Sequence, residues 1–445
     1  MSLLSILLLL LLQPTGFVIF GLLRVSQSIL SFSLSWFIGS AVATGVLFFL
    51  LVMGLRATES FWITTVGIIV AAIWGMKSAE YQKLLVQSWK SLLPDTSVQR
   101  MLCISIVFLL CFIFVMNQFW PHTDWDAMTL YDFRAKAVIE TSYLSPLLTG
   151  IQDVYLISYP WYTSGLFILA YFSTSWNILG VFSFMTFFFL CSIYQLCSNA
   201  GEKKLSGYVA SLSVLTIPII FSHTMIAYTN LAFMMYWALG IVLLLSWIRF
   251  GDDNHGILGA TLFGLSSWVR SSEPFWVIGV GVLILGILLA KKPTAAFWIS
   301  LILLPKILWK YYVGWVLVHI LPESSPELLT FQKGGETSLQ FLHIFADLEK
   351  WKDVSIHILR FAGPLWGAWS IIVFLLLLGR KWSYRELTPF SVIFVSMSMI
   401  FVGTFLFTAN PYWNTIIDSF QRLLLFLLPV FVYTVCSSPT TYEKH

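Results

Sequence analysis

The sequence predicts an all-α polytopic membrane protein, a bundle of about thirteen transmembrane helices, and three observations carry that prediction. Hydrophobic residues make up 58% of the chain and charged residues 10%, whereas a soluble domain is about half apolar and about a quarter charged. The apolar residues fall in runs of roughly twenty, the length a helix needs to cross the hydrocarbon core. The basic residues concentrate in the connections between runs, where they signal orientation. A net charge of +4 spread in this way leaves no basic patch of the kind that binds DNA or RNA.

Apolar runs at 3–23, 34–53 and 61–76 contain no ionisable residue and are expected to pack as a scaffold. The first lacks a basic flank and a small-residue cleavage site, so it reads as a retained span rather than a leader. Residues 77–100 carry Lys77, Lys83, Lys90 and Arg100, interleaved with Tyr81, Leu84, Leu85, Trp89 and Leu92, which suits an amphipathic helix on the cytoplasmic face. The chain therefore divides into an N-terminal extension, 1–100, and a longer membrane region, 101–445.

From residue 100 the crossings can be counted against the basic loops. The run 101–120 emerges outside at Pro121. Lys203-Lys204, Arg249, Lys291-Lys292, Arg380-Lys381 with Arg385, and Lys444 all fall on the cytoplasmic side if only one crossing lies between Pro160 and Lys203. The apolar stretch 161–176, entered through Ser158-Tyr159-Pro160, is thus expected to lie in the outer interface or to re-enter. The remaining crossings are expected at 180–197, 207–222, 228–247, 257–269, 275–290, 295–318, 357–379, 389–408 and 420–436. Two long outer loops result, 121–160 and 321–353, and Pro322, Pro326 and Lys333-Gly334-Gly335-Glu336 suit the second either to a lid or to a plain solvated loop. The five cysteines, Cys103, Cys111, Cys191, Cys197 and Cys436, lie in or beside apolar runs and read as buried free thiols.

The first outer loop opens with Asp124, Asp126, Asp132, Arg134 and Lys136 in quick succession. In a chain so poor in charge, such a cluster where a span meets water points to polar work at the membrane surface. A carboxylate there can take a proton from a hydroxyl, and cations can hold a leaving phosphate. Plainer alternatives stand beside this. Asp124 or Asp126 would also cap the helix that follows. Asp132, Lys136 and Glu140 are four apart and can pair along one helix face. Arg134 and Lys136 divide between surface anchoring and ligand contact.

Other charges sit at span boundaries. Arg270 and Glu273 either satisfy each other or grip a ligand. Of Lys306 and Lys310 in the run 295–318, one is expected to face a polar cavity and the other to snorkel outward. Arg422, at the start of the last run, can pair with Asp418 or bind a phosphate. Tyr228 and Asn230 follow Pro218 at an outer turn, with His223 at the same edge.

Trp125-Asp126-Ala127 followed by Arg134-Ala135-Lys136-Ala137 resembles the first-loop motif of bacterial membrane glycosyltransferases of the GT-C class, related to the protein O-mannosyltransferases. Partial matches follow in order. Ala227-Tyr228-Thr229-Asn230-Leu231-Ala232 is similar to that group's Tyr-Ala-Asp-x-Pro turn, with Asn230 where an Asp is usual. Gly264 to Pro274 is similar to its Gly-Leu-x-x-x-x-Lys-x-Glu-Gly turn, and Ser419 to Pro429 to its Ser-x-x-Arg-x-Leu-x-x-x-x-Pro.

The resemblance, which covers roughly 101–429, implies a GT-C-like bundle with juxtamembrane helices in a large first extracytoplasmic loop, set in a bacterial inner membrane. It implies transfer of a sugar from a polyprenyl-phosphate-linked donor to an acceptor hydroxyl of a glycan, lipid or protein. Asp126 would be the catalytic base, with Asp124 second. Arg134, Lys136, Tyr228, Asn230, Arg270, Glu273, Lys306, Lys310 and Arg422 would bind substrate. No cofactor is expected, and Asn230 lowers the expectation of a divalent metal without removing it. Two rivals use similar frameworks: an O-antigen polymerase or ligase, and a lipid-oligosaccharide flippase, which would place ionisable groups at mid-membrane in broken helices.

Overall fold

The computed structural model describes residues 3–23, 25, 28–119, 126–145, 159–173, 178–200, 204–271, 273–290, 299, 302–319, 348–349, 351–352, 355–356, 391–396, 398 and 417–437. Among them every regular element is helical. Six helices are long and apolar enough to cross a membrane: α1 (Leu3–Leu22), α2 (Ile29–Val52), α3 (Ala57–Lys77), α5 (Ser97–Phe119), α8 (Gly180–Ala200) and α11 (Thr229–Phe250). The others are α4 (Ala79–Leu92), α6 (Phe133–Thr141), α7 (Tyr162–Phe172), α9 (Lys204–Thr216), α10 (Pro218–His223), α12 (Asp253–Val269), α13 (Glu273–Ala290), α14 (Leu304–His319) and α15 (Ile417–Cys436), with a π-helical segment, Ala127–Asp132, leading into α6. The expected crossing at 357–379, most of that at 389–408 and most of the loop 321–353 lie outside the described residues.

The hydrophobic core runs without a break across residue 100. Its most buried member is α11, a helix apolar on all sides and buried at every position from Thr229 to Trp247. Gly16 on α1 and Gly39 on α2 let the two backbones touch, since a Cβ at either would run into the Ser35 or Leu12 carbonyl oxygen. Trp36 donates to the Leu9 carbonyl at 2.9 Å and stacks on Phe188, with ring centroids 5.7 Å apart. Ser40 joins the hydroxyls of Tyr162 and Tyr236 at 3.1 and 3.0 Å, and Trp268 donates to Thr44 at 3.0 Å. The first spans are thus tied to α7, α8, α11 and α12 by hydrogen bonds as well as by apolar packing.

By contrast, α5 buries only Gln99, Ile113 and Asn117 and exposes Ile104, Val107, Phe108, Phe112 and Val115, as a lipid-facing helix does. Cys111 lies on that exposed surface. Its expected burial is therefore corrected: an apolar run in a membrane helix is not evidence of a protein neighbour. The run at 207–222 is two helices, because Pro218 lacks the N–H that would continue α9 and instead opens α10. Helix α14 begins at Leu304, with Pro305 in its first turn, and most of 295–303 in the expected crossing lies outside the described residues.

The connections sort to two ends of the bundle. At one end the last carbonyls of α4 are satisfied by α8 and α9. Tyr194 donates to the Ser91 carbonyl at 2.7 Å, Tyr208 to that of Leu92, and Lys204 to that of Leu93 at 3.1 Å, while Lys204 also pairs with Asp95 at 3.0 Å. At the other end the α2–α3 turn meets the end of α6, with Ala57 N–H on the Ser142 carbonyl at 2.7 Å and the Arg56 Nε on the Tyr143 hydroxyl at 2.9 Å. Lys204 and the amphipathic α4 share one end, and the Asp126 segment occupies the opposite one.

Helix α7 has 11 residues, about 16 Å of rise, which is too short to cross. Tyr162 at its start meets Ser40 in the middle of α2, whereas Ser173 just past its end meets Ser5 in the first turn of α1, 2.7 Å between hydroxyls. The helix is buried along almost its whole length.

Candidate functional site

The site is built where the Asp126 segment lies against the ends of α11 and α12. After Asp126 the chain makes the π-helical turn Ala127–Asp132, a wide and rare geometry that occurs mostly at functional positions. Asp126 is partly exposed and its side chain makes no capping hydrogen bond, so the capping alternative is not realised at this residue. Its backbone N–H instead reaches the Tyr228 hydroxyl at 3.4 Å. Tyr228 caps α11, Asn230 lies buried in that helix's first turn, and Thr229 holds the turn against α12 through the Val269 carbonyl at 2.8 Å. Arg270 follows immediately. Residues far apart in sequence, Asp126, Tyr228, Asn230 and Arg270, therefore share one end of the bundle.

Two cations of the segment behave differently. Lys136 is half exposed and bridges to Asp132 at 2.8 Å, while Asp132, itself buried, also accepts the Tyr171 hydroxyl. The pairing alternative accounts for Lys136. Arg134, one helix face away, is 0% exposed. It donates from Nη2 to the Tyr159 carbonyl at 3.0 Å, and its guanidinium carbon stands 4.0 Å from the centre of the Trp161 ring. Nε and Nη1 have no partner. Burial lowers its proton affinity to about 9, against the pull of the Tyr131 and Tyr312 phenols, so it remains a cation at neutral pH.

Arg270 lies 5.7 Å from the Phe426 ring centre with its Nε buried and unpartnered. Phe426 is one turn beyond Arg422 on α15, which brings the backbone of Arg422 to the same region. Lys306 is buried, 5.9 Å from the Trp276 ring centre, and Lys310 is exposed. His223 is held by its own helix, Nδ1 lying 2.8 Å from the Ile219 carbonyl, which suits a structural role. Asp124 and the side chains of Glu273 and Arg422 lie outside the described residues. Among those described, no group of three or more His, Cys, Asp or Glu is arranged to hold a metal ion.

Sequence reasoning missed the aromatic wall behind Arg134. Phe48 packs against Trp161, Trp268, Trp309 and Tyr312, with ring centroids 5.6, 5.3, 5.9 and 5.1 Å away. These rings come from α2, the entry to α7, α12 and α14, and no spacing within one run announces them. Chemically, this end of the bundle combines a partly exposed carboxylate with guanidinium nitrogens, Nε and Nη1 of Arg134 and Nε of Arg270, that have no partner among the described residues.

The chain matches no known family model, no characterised protein and no solved structure.

Proposed function

We propose that the chain is a GT-C-like integral membrane glycosyltransferase of about thirteen spans, with juxtamembrane helices in its first outer loop. It acts at the extracytoplasmic face of a bacterial inner membrane, moving a sugar from a polyprenyl-phosphate-linked donor to an acceptor hydroxyl on a glycan, lipid or protein. The observation that supports this reading best is the partly exposed Asp126, whose side chain makes no capping hydrogen bond, at the same end of the bundle as Arg134 and Arg270, whose Nε atoms are buried without a partner among the described residues.

In this reading Asp126 takes the acceptor proton as the hydroxyl oxygen forms its bond to the anomeric carbon. The bond from that carbon to the phosphate oxygen breaks, its electron pair stays on the phosphate, and cations at this end of the bundle, Arg270 and Arg422 among them, stabilise the charge. One direct displacement inverts the anomeric centre. Tyr228 fixes the Asp126 backbone and Asn230 offers an amide to a sugar hydroxyl. Mass spectrometry of lipid-linked sugars and envelope glycans, from cells with and without the protein, tests the proposal. A polyprenyl-phosphate sugar should accumulate and one glycosyl unit should be missing without it, and unchanged profiles would contradict transfer.

A further inference from the structure

The strongest anomaly in the molecule is Arg134. A fully buried guanidinium is tolerated when its hydrogen bonds and its charge are both answered, most often by a carboxylate. Here the nearest carboxylate along the helix, Asp132, is engaged by Lys136 and Tyr171. Nε and Nη1, which carry three of the five N–H donors of an arginine, have no acceptor. The Tyr159 carbonyl and the Trp161 ring face answer only part of the charge. Trp161, under the guanidinium, and Tyr312 pack on the same Phe48 ring, with centroids 5.6 and 5.1 Å away, and the Tyr312 hydroxyl is also buried without a partner among the described residues.

Orphaned buried donors in a native structure call for a missing acceptor. Water would satisfy the hydrogen bonds but leave the charge unanswered. An oxyanion satisfies both.

We infer that Arg134 and Tyr312 form a buried oxyanion site, backed by Trp161, that takes a phosphate group. A phosphate fits better than a carboxylate because its several non-bridging oxygens can accept from Nε, Nη1 and the phenol together. The wall of Phe48, Trp268 and Trp309 behind the site is apolar, which suits a phosphate whose other substituent is hydrocarbon. The site stands on this geometry alone. Identifying its phosphate as that of the sugar carrier rests on the transferase reading.

Equilibrium binding to the purified full-length protein in detergent tests it, with inorganic phosphate and a short polyprenyl monophosphate as probes, followed by thermal shift and by competition. Saturable binding of either probe is expected, and tighter binding of the polyprenyl phosphate assigns the site to a lipid headgroup rather than to free phosphate. Arg134→Gln should weaken binding about 10- to 100-fold, and Arg134→Lys should restore only part because it offers no fork. Tyr312→Phe keeps the ring and should weaken binding several-fold, so the site can be judged even if Arg134→Gln yields little folded protein. Equal affinity in Arg134→Gln and wild type, or no saturable binding by either probe, overturns the site. Asp126→Asn separates the two proposals, since it should bind phosphate like wild type while losing transfer. Retained transfer in that variant would fault the transferase role of Asp126 and leave the oxyanion site intact.

Discussion

The backbone N–H of Asp126 lies 3.4 Å from the phenolic oxygen of Tyr228, which caps a helix 102 positions further along the chain. That contact ties the first outer segment to the start of α11 and so fixes where the Asp126 carboxylate can point. Tyr228→Phe removes the hydroxyl and keeps the ring. It should lower turnover by up to about tenfold, the weight of one ordinary hydrogen bond, with no loss of folded protein. Steady-state transfer rates alongside a melting curve would check both halves.

The Lys204 bridge to Asp95 and the Asp126 segment belong to opposite ends of the bundle. With Cys111 replaced, Glu140→Cys should react with a membrane-impermeant thiol reagent in intact cells, and Ser206→Cys should react only after permeabilisation. The reverse pattern would invert the proposed orientation.

The close approach of α1 and α2 gives a stability prediction. Gly39→Ala puts a methyl group against the Leu12 carbonyl oxygen and forces the helices apart. The expected cost is about 1–3 kcal/mol, the usual penalty for overpacking a tight core. A lowered melting temperature in detergent would show it, and an unchanged one would mean that the helix pair is more loosely packed.

Burial depresses the ionisation of Arg134 to about 9, below its range in an unfolded chain. Below that pH both states carry the proton and the contribution to stability is flat. As pH rises through 9 the folded protein releases the proton while the unfolded chain keeps it, so this contribution makes folding more favourable. Wild type should therefore gain stability relative to Arg134→Met between about pH 9 and 10.5. Melting temperatures of the two proteins across that range would decide it, and a constant difference would place the guanidinium in a more polar setting than its burial indicates.

Local features were readable from the chain. The interleaving of lysines with Leu84 and Trp89 marked α4, and the four-residue step from Asp132 to Lys136 marked their ion pair, because both depend on helical spacing alone. Pro218 lies inside the expected crossing at 207–222, and there it opens a separate helix instead. The burial of Arg134 was not readable. Its surroundings come from Tyr159, Trp161 and Tyr312, on other elements, and a basic residue on a loop helix looks the same in sequence whether it faces water or a ring. The surroundings of α7 were only half readable: the basic loops argued against a crossing, but no spacing within 161–176 pointed to Ser40 as the partner of Tyr162.

The central claim is that Asp126 is the base of a sugar transfer. Its most direct test is turnover of a polyprenyl-phosphate-linked sugar by purified Asp126→Asn protein that is inserted and melts like wild type. The substitution keeps the shape of the side chain and removes its ability to accept a proton at neutral pH. A fall of about 10²- to 10⁴-fold in turnover, with phosphate binding retained, is the predicted result. Turnover equal to wild type would contradict it and move the search for the base to Asp124.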